Sequence, residues 1–228
     1  MSIKPVSIVQ MDQFVDVDAT TAGNVVQTPL AHAGLQGVAS DSSTSSPGTL
    51  ASTSVSLLER PVVGLLTLRA VASKDELNDA LQKRFSINLP ATLSCHSEGD
   101  YCVRWISPDE WLLSCPLDKA YAVEHDIREL VGGSIAIVNV SGAYSILELE
   151  GKDAINVLKK STPYDVSEKN FSTDKVVNTT FAKTQLTLRV IQPDRYELIV
   201  RRSYADYLWL WLQRAGKEYT LQAHAADT

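Results

Sequence analysis

The order of apolar and polar positions predicts interleaved strands and helices from residue 61 onward. Short apolar or alternating runs, several rich in β-branched residues, predict strands, because successive strand side chains point to opposite faces. In chain order these strands are 62–70, 89–95, 101–106, 111–115, 134–140, 144–150, one or two within 176–191, and 196–200. Helices are predicted from Ser73, from about Leu117 to Val131, over 152–160 and from Ser203.

The first predicted helix carries both a start signal and a buried stripe. Leu77, Leu81 and Phe85 recur every four residues, so they share one face. Ser73 with Glu76 three residues later predicts a capping box, in which each side chain bonds the other's backbone.

These elements fall into two successive groups, which predicts an α+β fold. We expect two lobes of open mixed or antiparallel sheet, each with helices on one face. The predicted boundaries are a flexible arm at 1–27, a docking segment at 28–60 with a Ser/Thr-rich loop at 40–56, a first lobe at 61–143, a second at 144–219, and a tail at 220–228.

Composition narrows the class of partner. The 21 basic and 27 acidic residues give a net charge of −6, which disfavours nucleic acid and anionic membrane as partners. No long apolar run predicts a membrane span, and the N-terminus lacks the pattern of a secretory signal. We therefore expect a cytoplasmic protein.

The cysteines predict neither a disulfide framework nor a metal site. Cys95, Cys102 and Cys115 are an odd number, spaced C-x6-C-x12-C without a CxxC pair. Zinc sites normally need closer ligand pairs. We interpret the three as reduced thiols.

The stretch "WISPDEWLL" raises the question of an acidic catalytic pair. Asp109 and Glu110 follow Pro108 directly, and S-P-D-E is typical of a turn. A general acid and base would have to converge from different directions and different environments. The pattern favours a turn between two strands.

The sequence contains neither a phosphate-binding glycine pattern nor a G-x-S-x-G elbow.

The last predicted helix is the most informative element of the sequence. In "RRSYADYLWLWLQRAG" one face carries Tyr204, Leu208, Trp211, Leu212 and Ala215, while Trp209 and Leu210 fall outside it. Such a helix is either wrapped by its own fold or covered by a partner on its second face.

Several blocks in order resemble the gamma subunit family of heterotetrameric bacterial sarcosine oxidases. They are "TPLAHAG", "LTLRA", "INLPATL", "RWISPDEWLLSCP", "VNVSGAYSILELEGKDAINVLKKSTPYDV" and "RRSYADYLWLWLQRAGKEY". The chain departs from the family pattern at Thr162-Pro163, where the family usually has Cys-Pro. The resemblance implies a fold similar to the folate-binding region of aminomethyltransferases (T-protein).

The resemblance also implies a function and a set of partners. The family's complex demethylates sarcosine to glycine, forms hydrogen peroxide, and passes the one-carbon unit to tetrahydrofolate. FAD, FMN, NAD and zinc belong to the alpha, beta and delta subunits, and gamma carries no cofactor, metal or catalytic residue. We therefore expect a structural subunit without its own active site, contacting its partners through Trp209 and Leu210, with Arg201 and Arg202 at the rim.

Two alternatives stay open at this point. One is a stand-alone, folate-binding aminomethyltransferase-like protein, with Asp165 as a candidate for the pterin and a loop-capping role as its simpler interpretation. The other is a gamma subunit of a related oxidase or dehydrogenase that acts on another N-methyl amine.

Overall fold

The computed structural model describes residues 28–31, 36–37 and 54–225 of the chain. Over these residues it forms two sheets and four α-helices, connected by turns and short 3₁₀ segments. The elements are β1 (Gln36–Gly37), β2 (Val55–Glu59), β3 (Gly64–Arg69), α1 (Lys74–Phe85), β4 (Cys95–Glu98), β5 (Tyr101–Ser107), β6 (Glu110–Cys115), α2 (Ala120–Leu130), β7 (Ala136–Asn139), β8 (Tyr144–Glu150), α3 (Ala154–Ser161), β9 (Val176–Phe181), β10 (Thr184–Gln192), β11 (Arg195–Arg201), α4 (Ala205–Ala215) and β12 (Leu221–Ala225).

The two open sheets confirm the predicted α+β class. The smaller sheet has the order β4-β5-β6-β3-β7 and is antiparallel throughout. The larger has the order β1-β12-β2-β8-β11-β10-β9 and is mixed, because β12 runs parallel to both β1 and β2. Each sheet carries two helices on one face, α1 and α2 on the smaller sheet and α3 and α4 on the larger.

The helix-free faces of the two sheets pack against each other. Leu65 and Leu112 of the smaller sheet and Ile146 and Ile199 of the larger form a buried apolar cluster between them. Helices therefore cover the outer face of each sheet. Successive strand side chains alternate between packing against the helices and packing between the two sheets.

The predicted capping box at α1 is wrong, although α1 does begin directly after Ser73. The Ser73 hydroxyl makes no cap bond and donates instead to Ser134 O at 3.3 Å. The Glu76 carboxylate accepts from Gly133 N at 2.9 Å. Both side chains hold the loop that follows α2, so a tertiary contact replaces the local one that their spacing suggested.

Three strand assignments differ from the prediction. The stretch 89–95 was expected to be a strand, but only Cys95–Glu98 is one, since Pro90 cannot donate to a ladder. The predicted tail at 220–228 contains β12, which pairs with β2 from Leu221↔Val55 onward. Val55 and Ser56, placed in the Ser/Thr-rich loop by the sequence, belong to β2. The arm at 1–27 and most of that loop lie outside the described residues.

The segment before the loop is fixed to the larger sheet. Glu59 is buried, and its carboxylate accepts hydrogen bonds from Thr28 Oγ1 at 2.7 Å and Leu30 N at 3.1 Å. Leu30 is completely buried in the core under that sheet. The "TPL" part of the first resembling block therefore completes the core of its own chain.

Candidate functional site

Asp109 lies in a turn between two strands, as the sequence favours, and Glu110 begins the second strand. Pro108 and Asp109 connect β5 to β6, whose register pairs Ser107 with Glu110. The Asp109 carboxylate accepts from Arg69 Nε at 2.8 Å and from Ser107 Oγ at 3.0 Å. The hydrogen bond from Arg69 holds the pKa of Asp109 below its usual range. Asp109 therefore stays ionised at the tip of a hairpin.

Helix α4 is fixed to its own domain at several points. Trp211 Nε1 donates to Ser161 Oγ on α3 at 3.0 Å, and Lys183 N donates to the Tyr207 hydroxyl at 3.1 Å. Ala205, Leu208 and Leu212 are buried against the larger sheet. These contacts confirm the inward face that the sequence predicted for Leu208, Trp211 and Leu212, whereas Tyr204 remains 45% exposed.

The structure separates the residues predicted to contact a partner. Leu210 is 63% exposed, while Trp209 is only partly exposed and packs against the core of its own chain. Arg201 and Arg202 are exposed at the entry to α4, and the Arg201 guanidinium lies 5.7 Å from the ring of Tyr144. We call residues 201–210 the α4 entry surface. On the second face, the fold thus covers Trp209 in part and leaves Leu210 exposed.

A cleft of roughly 330 Å³ opens between the sheets beside this surface. Its walls come from both sheets and are mixed polar and apolar. They comprise Thr67, Ile106, Glu110, Leu112, Tyr144, Asn178, Thr179, Thr180, Gln185, Leu186, Thr187, Ile199 and Arg201. Arg201 connects the cleft with the α4 entry surface, and Asn178 Nδ2 ties the sheets together by donating to Ile106 O at 2.8 Å.

A buried ionic cluster lies on the other side of the inter-sheet layer. Arg104 Nε and Nη2 donate to the two carboxylate oxygens of Glu197 at 2.7 and 2.8 Å. Burial raises the pKa of Glu197, but the charge and hydrogen bonds of Arg104 outweigh burial and hold that pKa below its usual range. Arg189 lies 4.0 Å from the same carboxylate. The cluster clamps the two sheets together.

Sequence reasoning missed this cluster, although a signal was present. Arg104, Arg189 and Glu197 are single charges inside otherwise apolar strand runs. In a chain whose sheets are covered on both faces, such charges have no solvent side and must pair internally. Their pairing across 93 residues of sequence, from Arg104 to Glu197, is not encoded locally.

Asp165, the candidate pterin ligand of the folate alternative, caps a loop. Its carboxylate accepts from Ser167 N at 3.0 Å, and this backbone hydrogen bond lowers its pKa. Asp165 does not line the inter-sheet cleft. At the departure from the family pattern, Thr162 Oγ1 accepts from Tyr164 N at 3.2 Å, so the turn is kept without the thiol.

The described residues contain neither a metal-binding cluster nor a helix that could span a bilayer. There, no three His, Cys, Asp or Glu side chains come together as a metal site would require. None of the four described helices is both long and apolar enough to cross a bilayer.

Known sequences identify relatives of the chain. Residues 69–218 match the profile described as "Sarcosine oxidase, gamma subunit family". A sarcosine oxidase subunit gamma from Corynebacterium sp. (strain U-96) is 27% identical over 174 residues, covering 73% of this chain and 81% of the relative. One from Arthrobacter sp is 29% identical over 117 residues, which cover 51% of this chain and 57% of that one.

Solved structures share the fold. A heterotetrameric sarcosine oxidase from Corynebacterium sp. U-96, in complex with pyrrole 2-carboxylate, matches with a TM-score of 0.71 at 24% identity, over 86% of this chain and 96% of that one. The glycine cleavage system aminomethyltransferase T from Bartonella henselae matches with a TM-score of 0.55 at 12% identity, over 75% of this chain and 48% of that one. The second match confirms the aminomethyltransferase-like fold that the resemblance implied.

Proposed function

The chain belongs to the sarcosine oxidase, gamma subunit family, and on that premise we propose that it is the gamma subunit of a heterotetrameric oxidase. The related Corynebacterium structure is described as heterotetrameric, which supports a place for this chain beside other subunits. The proposed partners are alpha, beta and delta subunits, with sarcosine as the substrate of the assembly.

In this proposal gamma supports the reaction without carrying it out. The assembly oxidises sarcosine to glycine, releases hydrogen peroxide and passes the one-carbon unit to tetrahydrofolate. FAD, FMN and NAD reside in alpha and beta, zinc resides in delta, and gamma supplies contact surface in the cytoplasm. The predicted division into two lobes is part of the same proposal.

The exposed apolar side chain of Leu210 carries the proposal. Leu210 projects from a helix whose other face is fully occupied by its own core. Tyr204, Arg201 and Arg202 are exposed in the same ten-residue segment. Aromatic, aliphatic and arginine side chains side by side are typical of the centre and rim of protein interfaces. A partner subunit is therefore the expected cover of the α4 entry surface.

Co-expression with the neighbouring reading frames tests the proposed assembly. We expect the tagged chain to co-purify in a yellow complex far heavier than its own 24.9 kDa, active on sarcosine. Comparison of sarcosine with other N-methyl amines shows whether the assembly prefers a related substrate. A colourless, stable monomer that ignores its neighbours would contradict the proposal, and titration with tetrahydrofolate would then test the stand-alone alternative.

A single substitution tests the α4 entry surface. We expect Leu210→Asp to fold normally, because the side chain is largely exposed, and to weaken subunit association about 10- to 100-fold, since an unpaired carboxylate would be buried on binding. Native mass and affinity of the co-purified complex measure the loss. Trp209 is the less suitable position, because it packs on its own core.

Gln82→Asp is the matched control for that substitution. It adds the same charge to an exposed position of α1, on the helix layer of the smaller sheet. We expect it to leave both assembly and far-UV circular dichroism unchanged. If Leu210→Asp assembles as well as this control, the α4 entry surface is not a subunit contact.

A further inference from the structure

Two of the three cysteines lie on one face of one hairpin. Cys95 on β4 pairs with Arg104, and Cys102 on β5 pairs with Ser97, so the two cysteines are diagonal neighbours. Both are free thiols with less than a tenth of their surface exposed; they share a small buried cluster, and Cys95 Sγ donates to Asp174 Oδ1 at 3.4 Å. They face the larger sheet beside the buried ionic cluster.

Two guanidinium groups lie close to Cys102. Arg104 and Arg189 are both less than a tenth exposed, and Glu197 is the buried carboxylate between them. Arg189 Nη1 donates to Cys102 Sγ at 3.1 Å, and its Nε has no hydrogen-bond partner. Arg189 also pairs with the carboxylate of the more exposed Asp174 at 3.4 Å, and the charges of both guanidinium groups stabilise a thiolate at Cys102.

The two thiols differ in pKa. Interaction with the neighbouring Cys95 thiol, aided by the charges of Arg104 and Arg189, lowers the pKa of Cys102 despite its burial. The same interaction, together with burial, raises the pKa of Cys95, so Cys95 keeps its proton. One thiol of the pair is thus activated as a nucleophile, and its neighbour remains available as a thiol.

The cluster also reaches the surface. Arg189 Nη2 donates to Ser97 Oγ at 3.1 Å and to Asp174 Oδ1 at 3.4 Å, and both of these residues are exposed. β4 is the edge strand of its sheet. A diagonal pair normally lies just beyond disulfide distance. Bond closure therefore requires β4 to move toward β5, with loss of the hydrogen bond from Cys95 N to Asp174 O.

We propose that Cys95 and Cys102 form a peroxide-reactive thiol pair, with Cys102 as the attacking thiolate and Cys95 as the resolving thiol. The Cys102 sulfur attacks one oxygen of hydrogen peroxide, the O–O bond breaks, and the hydroxide that leaves is protonated to water. The resulting sulfenic acid is attacked by the Cys95 sulfur, the S–O bond breaks, and a second water leaves with the Cys95 proton. Two thiols lose two electrons and two protons, and one peroxide becomes two waters.

Added hydrogen peroxide tests this pair in the full-length chain, independently of the proposed subunit role. After brief exposure at pH 7, peptide mass spectrometry is expected to find Cys95 joined to Cys102, with a loss of two mass units. Cys115 is the internal control, because burial raises its pKa to about 11. It should stay reduced while the chain is folded and react only after unfolding.

Three variants separate the roles of the two sulfurs. Cys95→Ser removes the resolving thiol, so dimedone should trap a sulfenic acid at Cys102. Arg189→Gln removes one guanidinium and should slow peroxide reaction at Cys102 about tenfold through a smaller thiolate population, whereas Arg189→Lys should keep most of the rate. The proposal fails if Cys115 in the folded chain oxidises as fast as Cys102, or if the unmodified chain gives a Cys102 sulfenic acid that never proceeds to the disulfide.

Discussion

Replacing Glu197 with alanine should lower the free energy of unfolding by about 3–5 kcal/mol, a large share of the stability of a domain of this size. Arg104 makes two short hydrogen bonds to Glu197, at 2.7 and 2.8 Å. The Arg104 side chain is only 3% exposed. Without Glu197, its charge would stay buried with Ser114 Oγ and a backbone carbonyl as its remaining acceptors. The cost comes from that stranded charge and not from the ion pair itself.

Urea denaturation measures this loss, and an exposed ion pair provides the control. Asp126→Ala removes the partner of Arg84. In this pair Arg84 Nε lies 2.7 Å from Asp126 Oδ2, and the arginine side chain is 58% exposed. We expect that change to cost no more than about 1 kcal/mol, because water replaces the lost partner. Equal costs for the two variants would show that the inter-sheet layer admits water. A double variant, Arg104→Met with Glu197→Leu, should recover much of the loss by removing both charges.

Acid should remove the same contribution in the unmodified chain. The pKa of Glu197 is lower in the folded chain than in the unfolded one, whose value is about 4.3. The unfolded state therefore takes up the proton first, and the stability due to Glu197 is present above that pH and lost as the pH falls through the folded value. The difference in stability between the unmodified chain and Glu197→Ala should thus shrink below about pH 4.

Local patterns in the sequence predicted the elements better than their partners. The hairpin turn at Pro108–Asp109 followed from proline, polar turn residues and the apolar runs on either side. The inward stripe of α1 followed from its four-residue spacing, with Leu77 and Leu81 buried. These features depend on neighbours within one or two turns of chain.

The elements that were missed depend on contacts between distant segments. Leu221–Ala225 carries no strong strand pattern, and it becomes a strand because it lies between β1 and β2 in parallel pairing. Ser73 and Glu76 have the spacing of a capping box, yet the loop after α2 competes successfully for both side chains. Parallel pairing and loop anchoring are tertiary effects, which a local pattern does not contain.

The sequence predicted the candidate interface only in part, because one of its two central residues packs on the core of its own chain. Helical spacing placed both Trp209 and Leu210 outside the inward face of α4. The larger tryptophan side chain still reaches its own core, whereas Leu210 does not. Trp209 flanks the buried stripe of α4, whereas Leu210 lies nearly opposite it, so angular position around the helix decides which of the two adjacent residues is exposed.

Gly151→Ala should lower the free energy of unfolding by about 2–6 kcal/mol, as backbone strain and overpacking add. Gly151 has a φ of 127°, a conformation that side chains disfavour, and a Cβ there would lie 2.2 Å from Ser54 O. Ser54 precedes β2, whose pairing with β8 brings the two backbones together. The glycine sits between β8 and α3, within the strand–Gly–helix block of the family resemblance. The methyl group of the alanine would push β2 away from β8 and weaken the sheet that also contains β12.

Gly142→Ala separates this effect from the general cost of replacing a glycine. Gly142 lies in the turn before β8, and a Cβ built on it meets nothing within 4 Å. We expect the free energy of unfolding of that variant to lie within about 0.5 kcal/mol of the value for the unmodified chain. Hydrogen exchange should locate the Gly151→Ala damage in the amides of β2 and β12, while the smaller sheet keeps its protection. Uniform loss of protection in both sheets would instead mean that Gly151 sets the stability of the whole chain, through the inter-sheet layer that Glu197 and Arg104 clamp.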